Sequence, residues 1–137
     1  MAALTYDEQA QNVLQAALRK ADEIGVPSSI AVVDEGRELV AFARQTGALL
    51  ASIEISIGKA YTACSMQMDT GTLAGMTTPG QPLAGLETSH RRPLAAFAGG
   101  QPLWIGDQIA GAVGVAGGLV EQDDQVAAAA AAGLPQA

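Results

Sequence analysis

Apolar residues near the start of the chain recur at helical spacing. Ala10, Val13, Leu14, Ala17, Leu18 and Ala21 share one face, and Thr5 with Glu8 has capping-box spacing. Gly25 and Pro27 then stop the helix, the first tolerating a left-handed cap and the second unable to continue the hydrogen-bond ladder. From Ser29 the pattern becomes extended. Residues 29–33 and 39–43 flank Asp34-Glu-Gly-Arg-Glu38, a hairpin turn in which Gly36 is available for positive φ. Apolar side chains at successive strand positions predict a sheet covered on both faces.

Residues 49–68 predict a second helix. Ile53, Ile55 and Ile57 alternate at strand period, but Leu50, Ile53, Ile57, Ala60, Tyr61 and Cys64 keep the helical rhythm over a longer stretch, and length decides. Asp69-Thr-Gly71 ends this helix, and residues 72–76 add one further turn. Residues 77–92 read as a long loop, a length that points to function when apolar anchors such as Leu83 and Leu86 hold it in place. Residues 93–98 read as a short strand broken by Gly99-Gly100. Residues 103–105 and 108–115 then pair around a Gly106-Asp107 turn. Gly117-Gly118 leads into Glu121-Gln-Asp-Asp124, whose acidic side chains suit the positive end of a helix running to about Ala132. Helix, two strands, helix, loop, three strands, helix: this order predicts one domain over residues 1–137, an antiparallel sheet flanked by helices with its core at about 4–132.

The composition suits a packed globule, with 49% hydrophobic and 15% charged residues in a chain of 137. Seven basic against fourteen acidic residues leave a net charge of −7 with no basic run, so no nucleic-acid partner is expected. The single cysteine, Cys64, sits on a helical apolar stripe and reads as core. The first residues lack a basic and then apolar leader, and no stretch suits a membrane span, so a soluble cytoplasmic protein is expected.

Few residues can carry chemistry. Arg19 and Lys20 lie on the polar face of the first helix, which leaves Arg37, Arg44, Lys59, Arg91 and Arg92 as cations able to hold a small anionic ligand if they converge. His90 is the one histidine of the chain and stands between Ser89 and two arginines. A neutral imidazole there could accept a proton or bind a metal. Glu87 in the same loop is a second proton carrier. The Gly117-Gly118 turn, between a strand and a helix, offers backbone N–H groups to an anion. There is no HExxH, no CxxC, no P-loop and no GxGxxG.

Several ordered blocks resemble the GlcG/HbpS-like family of haem-binding and haem-degrading domains. They are Ala31-Val-Val-Asp34 with Gly36 and residues 39–44, Ile55-Ser-Ile-Gly-Lys-Ala-Tyr-Thr-Ala63, Pro79-Gly-Gln-Pro-Leu83, Phe97-Ala-Gly-Gly-Gln-Pro-Leu103, and residues 109–118 with Glu121-Gln-Asp123. The resemblance spans about Leu4 to Ala132. It implies an α/β (α+β) sandwich with an antiparallel five-stranded sheet and assembly into homo-oligomers. It also implies haem as cofactor, with His90 as an axial ligand to the iron and Arg91, Arg92 or Lys59 pairing with the propionates. Two departures stand out: Glu-Gly-Arg replaces a Gly-Gly turn after Asp34, and Arg91-Arg92 replaces glycines after the Ser-His dipeptide.

Three readings follow. The first is a haem-binding or haem-degrading protein. The second is a cofactor-independent isomerase, hydratase or lyase on a small carboxylate, with Arg91 or Arg92 clamping the anion and His90 or Glu87 moving a proton. The third is a non-catalytic oligomeric accessory or sensor module. Aromatic residues make up only 4%, a thin lining for a macrocycle.

Overall fold

The computed structural model describes residues 3–135. Along the chain run α1 (Gln9–Ile24), β1 (Ser29–Asp34), β2 (Leu39–Arg44), α2 (Ser52–Met66), α3 (Thr70–Thr77), a single 3-10 turn (Leu86–Thr88), β3 (Gly100–Ile105), β4 (Gln108–Ala116) and α4 (Val120–Ala132). The strands pair antiparallel in the order β2-β1-β4-β3. The central pair, β1 and β4, is buried along almost its whole length, as the unbroken apolar runs predict. On one face α1 and α4 pack side by side over Val13, Leu14, Ile30, Val113 and Val126. Across the other lies α2, over Ala31, Val33, Ala60, Ala63 and Ala112.

The sheet has four strands, not five. Residues 93–98 are not a strand: Ala95 donates its N–H to Thr62 Oγ1 of α2 at 2.8 Å, so the segment follows the helix instead of a ladder. Gly99 and Gly100 do not break a strand either, since β3 begins at Gly100. At the first helix the reciprocal cap joins Thr5 to Gln9, not to Glu8: Thr5 Oγ1 accepts from Gln9 N and Gln9 Oε1 from Thr5 N. In the hairpin turn positive φ falls on Arg37, at 69°, and not on Gly36. Asp34 explains this, because its Oδ1 accepts from the N–H groups of both Gly36 and Glu38 and so fixes the turn around itself.

The rotation of α2 differs most from the pattern. Its helical rhythm predicts Leu50, Ile53, Ile57, Ala60, Tyr61 and Cys64 facing inward. Ala60 and Cys64 do face inward and Ile57 packs partly against that core, but the helix also buries its polar side, Ser52, Ser56, Lys59 and Thr62, and Leu50 is 73% exposed. Gly114 on β4 is the reason. A Cβ there would collide with the Ser56 carbonyl oxygen, so helix and strand backbones touch and leave no room for larger side chains between them.

Candidate functional site

Residues 92–97, laid along α2, leave a groove of about 600 Å³ beside the helix, within the usual size of small-molecule sites. Ile55, Ile57, Pro93, Leu94 and Phe97 give it an apolar lining, with Glu54 and Arg92 as its charged members. The rotation of α2 supplies two of these isoleucines. Phe97, 40% exposed, also walls two smaller hollows. One, of about 350 Å³, contains Glu87 with Thr77 and Thr78. The other, of about 140 Å³, contains Lys59, Gly117, Gly118 and Asp123.

Beside the groove Tyr61 gathers three cationic or basic side chains. The Arg37 and Arg92 guanidinium carbons lie 4.7 and 5.0 Å from its ring centre, and His90 meets the ring edge-on at 6.0 Å. Arg37 is further fixed by donating to Tyr61 Oη at 3.1 Å and Ser65 Oγ at 3.2 Å. The ion pairs among the described residues are Lys20–Glu23 and Lys59–Asp123, so neither guanidinium has a carboxylate partner there. Both are thus available to an anionic group.

The hydrogen bonds of His90 assign its tautomer. Ser89 Oγ donates its single proton to the Leu86 carbonyl at 2.6 Å, so towards His90 Nδ1, 2.8 Å away, it can only accept. The proton of the neutral ring therefore sits on Nδ1. Nε2 carries the free lone pair, the form that takes up a proton or ligates a metal.

Lys59 is the opposite case. It is 1% exposed and donates to Asp123 Oδ2 at 3.0 Å and the Val115 carbonyl at 2.8 Å, with Asp123 itself only 3% exposed. Burial pushes the Lys59 amine below its ordinary pKa, against the opposing pull of Asp123. The other Asp123 oxygen, Oδ1, accepts from Gly118 N, and Gln122 Oε1 accepts from Leu119 N. The Gly118 N–H is thus already engaged.

The expected site residues fall into groups. Arg92 lines the groove and, with His90, stands at Tyr61. Glu87 and Lys59 with Gly117 and Gly118 occupy the adjoining hollows. Arg91 is exposed and lines none of these hollows. Arg44 stands apart: it donates to the Ala48 carbonyl and lines a separate hollow with Asp22, Pro27 and Gln45. Tyr61 and Phe97 were missed as organising residues, and Asp123 as the partner of Lys59. A lysine inside the small-residue face of α2 was the available signal for the last, since such an amine needs a counter-charge.

The arrangement is that of a helix-flanked antiparallel sheet carrying an apolar groove with a cationic end. The model of the family described as "Haem degrading protein HbpS-like" matches residues 6–132, and the chain belongs to that family. An uncharacterized 15.0 kDa protein of Citrobacter freundii, from the dhaT-dhaS intergenic region, is 40% identical over 114 residues, 83% of this chain and 80% of that protein. The corrinoid adenosyltransferase PduO of the same organism is 36% identical over 131 residues, 96% of this chain, and the match spans only 39% of PduO. Among solved structures, a PduOC:heme complex superposes with a TM-score of 0.90 at 33% identity, covering 96% of this chain and 95% of that one. No helix among the described residues is long and apolar enough to cross a membrane.

Proposed function

We propose that the chain binds haem in the groove along α2. The macrocycle would lie against Ile55, Ile57, Leu94 and Phe97, its propionates would meet the Arg92 and Arg37 guanidiniums, and His90 would offer Nε2 to the iron. The observation that carries this reading is an apolar groove beside two guanidiniums that lack counter-charge, a combination matched to a flat apolar ring with carboxylates at one edge. Haem, when bound, supplies the redox and oxygen chemistry; the chain holds and orients it. The haem complex formed by a structure as similar as PduOC supports the same ligand class. Hemin titration tests it: a Soret band saturating near one haem per chain is expected, shifted or lost in His90→Ala and weakened about tenfold in Arg92→Gln, the loss of one charge-assisted contact. A chain that gives no Soret change with excess hemin overturns the reading.

A small carboxylate held at the same arginines is the second reading, favoured because Arg37 and Arg92 have no ion-pair partner among the described residues. Glu87 in the adjoining hollow would then serve as the proton carrier. A thermal-shift screen of carboxylates without haem separates the two. We also infer self-association, in which a second copy covers the exposed Leu50 and Leu119. Leu50→Asp should lower the molar mass measured by light scattering while leaving the fold intact.

A further inference from the structure

We propose that the hollow beside Lys59 is a second binding site, one that takes a small neutral aldehyde or ketone and holds it as an imine on the Lys59 amine. Lys59, Asp123, Phe97, Gly117 and Gly118 all wall this space of about 140 Å³, and its remaining lining is largely apolar, including Leu49, Ile55 and Val120. Two of the three Lys59 N–H directions lead to the Val115 carbonyl and to Asp123. The Phe97 ring, centred 5.0 Å from Nζ, stands on a further side as the wall shared with the hollow. The backbone makes room for the amine: a Cβ on Gly99 would come within 2.5 Å of Nζ, and Gly99 holds φ at +125°.

Stability alone does not account for such a pair, because well-packed apolar residues generally replace a buried ion pair without loss. Nucleophilic chemistry does account for it. Burial favours the free amine, and an adjacent carboxylate can take the ammonium proton and return it to oxygen. Lys59 passes a proton to Asp123, and the amine nitrogen attacks the carbonyl carbon, forming the C–N bond while the C=O π pair moves to oxygen. Asp123 protonates that oxygen and then accepts one proton from nitrogen. When it delivers this proton to the hydroxyl, water leaves and the C=N bond forms. The net change is ammonium plus carbonyl to protonated imine plus water, and Asp123 ends as the carboxylate it was.

The surroundings also choose the class of carbonyl compound. Asp123 and Asp124 both act on Lys59, and Glu121 lies in the same first turn of α4, so a carboxylated carbonyl compound meets repulsion that a neutral one avoids. The small volume limits the guest to a few carbon atoms.

The chain carries its own control, because Lys20 is the other of its two lysines and lies on the surface of α1. Native protein is incubated with propanal and sodium cyanoborohydride at neutral pH, and the reduced adduct is located by peptide mapping. Lys59 should be alkylated at least about tenfold faster than Lys20, and faster by propanal than by pyruvate. Lys59→Arg, which keeps a cation beside Asp123, should abolish the fast label, and Asp123→Asn should slow it; circular dichroism confirms that each variant is folded. Adducts on Lys20 and the terminal amine, with Lys59 untouched until the protein is unfolded, overturn the proposal. Such a result would leave the haem reading standing, because hemin titration is scored separately.

Discussion

The two faces of the sheet are built on different principles. Beneath α1 and α4 the contacts are aliphatic: Val13, Leu14, Val113 and Val126 meet as branched side chains filling space. Beneath α2 small residues predominate, glycine, alanine and serine around Val33 and Ile109, with a buried ion pair among them. A packed aliphatic layer needs only complementary volume and tolerates repacking. A layer of small residues brings backbones into contact, and the large side chains it displaces are left to line a groove. One face spends its apolar side chains on packing, and the other gives up part of its hydrophobic burial to form a groove.

The sharpest way to break this contrast is at the ion pair. Asp123→Ala leaves the Lys59 ammonium buried without its partner and should destabilise the protein by about 3–5 kcal/mol, read as a fall in the urea midpoint. Replacing both, Lys59→Met with Asp123→Leu, should recover most of that loss, because neither charge is then stranded. If the double variant is as unstable as the single one, the polar layer is needed for the fold itself and the division between the faces fails.

Next in size is the close approach of helix and strand. Gly114→Ala places a methyl group against the Ser56 carbonyl and should cost up to about 3 kcal/mol, the upper part of the usual range for overpacking. Because α2 must then lift from the sheet, hemin affinity should fall along with stability. On the aliphatic face Val13→Ala removes two buried methyl groups and should cost about 2 kcal/mol, with hemin affinity unchanged in the folded fraction. Equal losses of affinity in both variants would show that the groove reports global stability and not the setting of α2.

Sequence patterning reads these faces unequally, for the same physical reason. The α1 face follows the rule that apolar periodicity points inward, so Ala10, Val13, Leu14, Ala17 and Ala21 are buried and Leu18 partly so. The α2 face follows that rule only in part, at Ala60, Cys64 and Ile57, because the residue deciding its rotation is Gly114, far away in sequence. Periodicity within one helix carries no information about a glycine on its partner strand. Segment 93–98 was misread as a strand for a related reason: the acceptor for Ala95 N–H is the Thr62 side chain, invisible to local pattern. Of the candidate site, scarcity alone singles out His90 and Arg92 in the sequence. Their gathering with Arg37 at Tyr61 depends on a turn whose positive φ moved one residue from where glycine suggested it.

That turn is also where the two faces are joined, and it gives the smallest effect. Asp34 accepts from Tyr6 Oη at 2.6 Å on the side of α1, and from Gly36 and Glu38 N–H in the turn that carries Arg37 towards α2. Partial burial pushes its carboxyl pKa up, but these three hydrogen bonds outweigh it and hold the pKa below the ordinary value; the same contact raises that of the Tyr6 hydroxyl. A folded-state pKa below the unfolded one means that the contribution is present in full above the ordinary carboxylate range. It fades as pH falls through the depressed value. Asp34→Asn keeps the shape but not the charge, and should cost about 1 kcal/mol at neutral pH. Thermal melts of both proteins from neutrality down to about pH 3 should show their gap narrowing as the wild type loses its advantage. No gap even at neutral pH would mean that Asp34 acts by shape alone. Arg37 would then be placed by turn geometry, without help from the charge that links the faces.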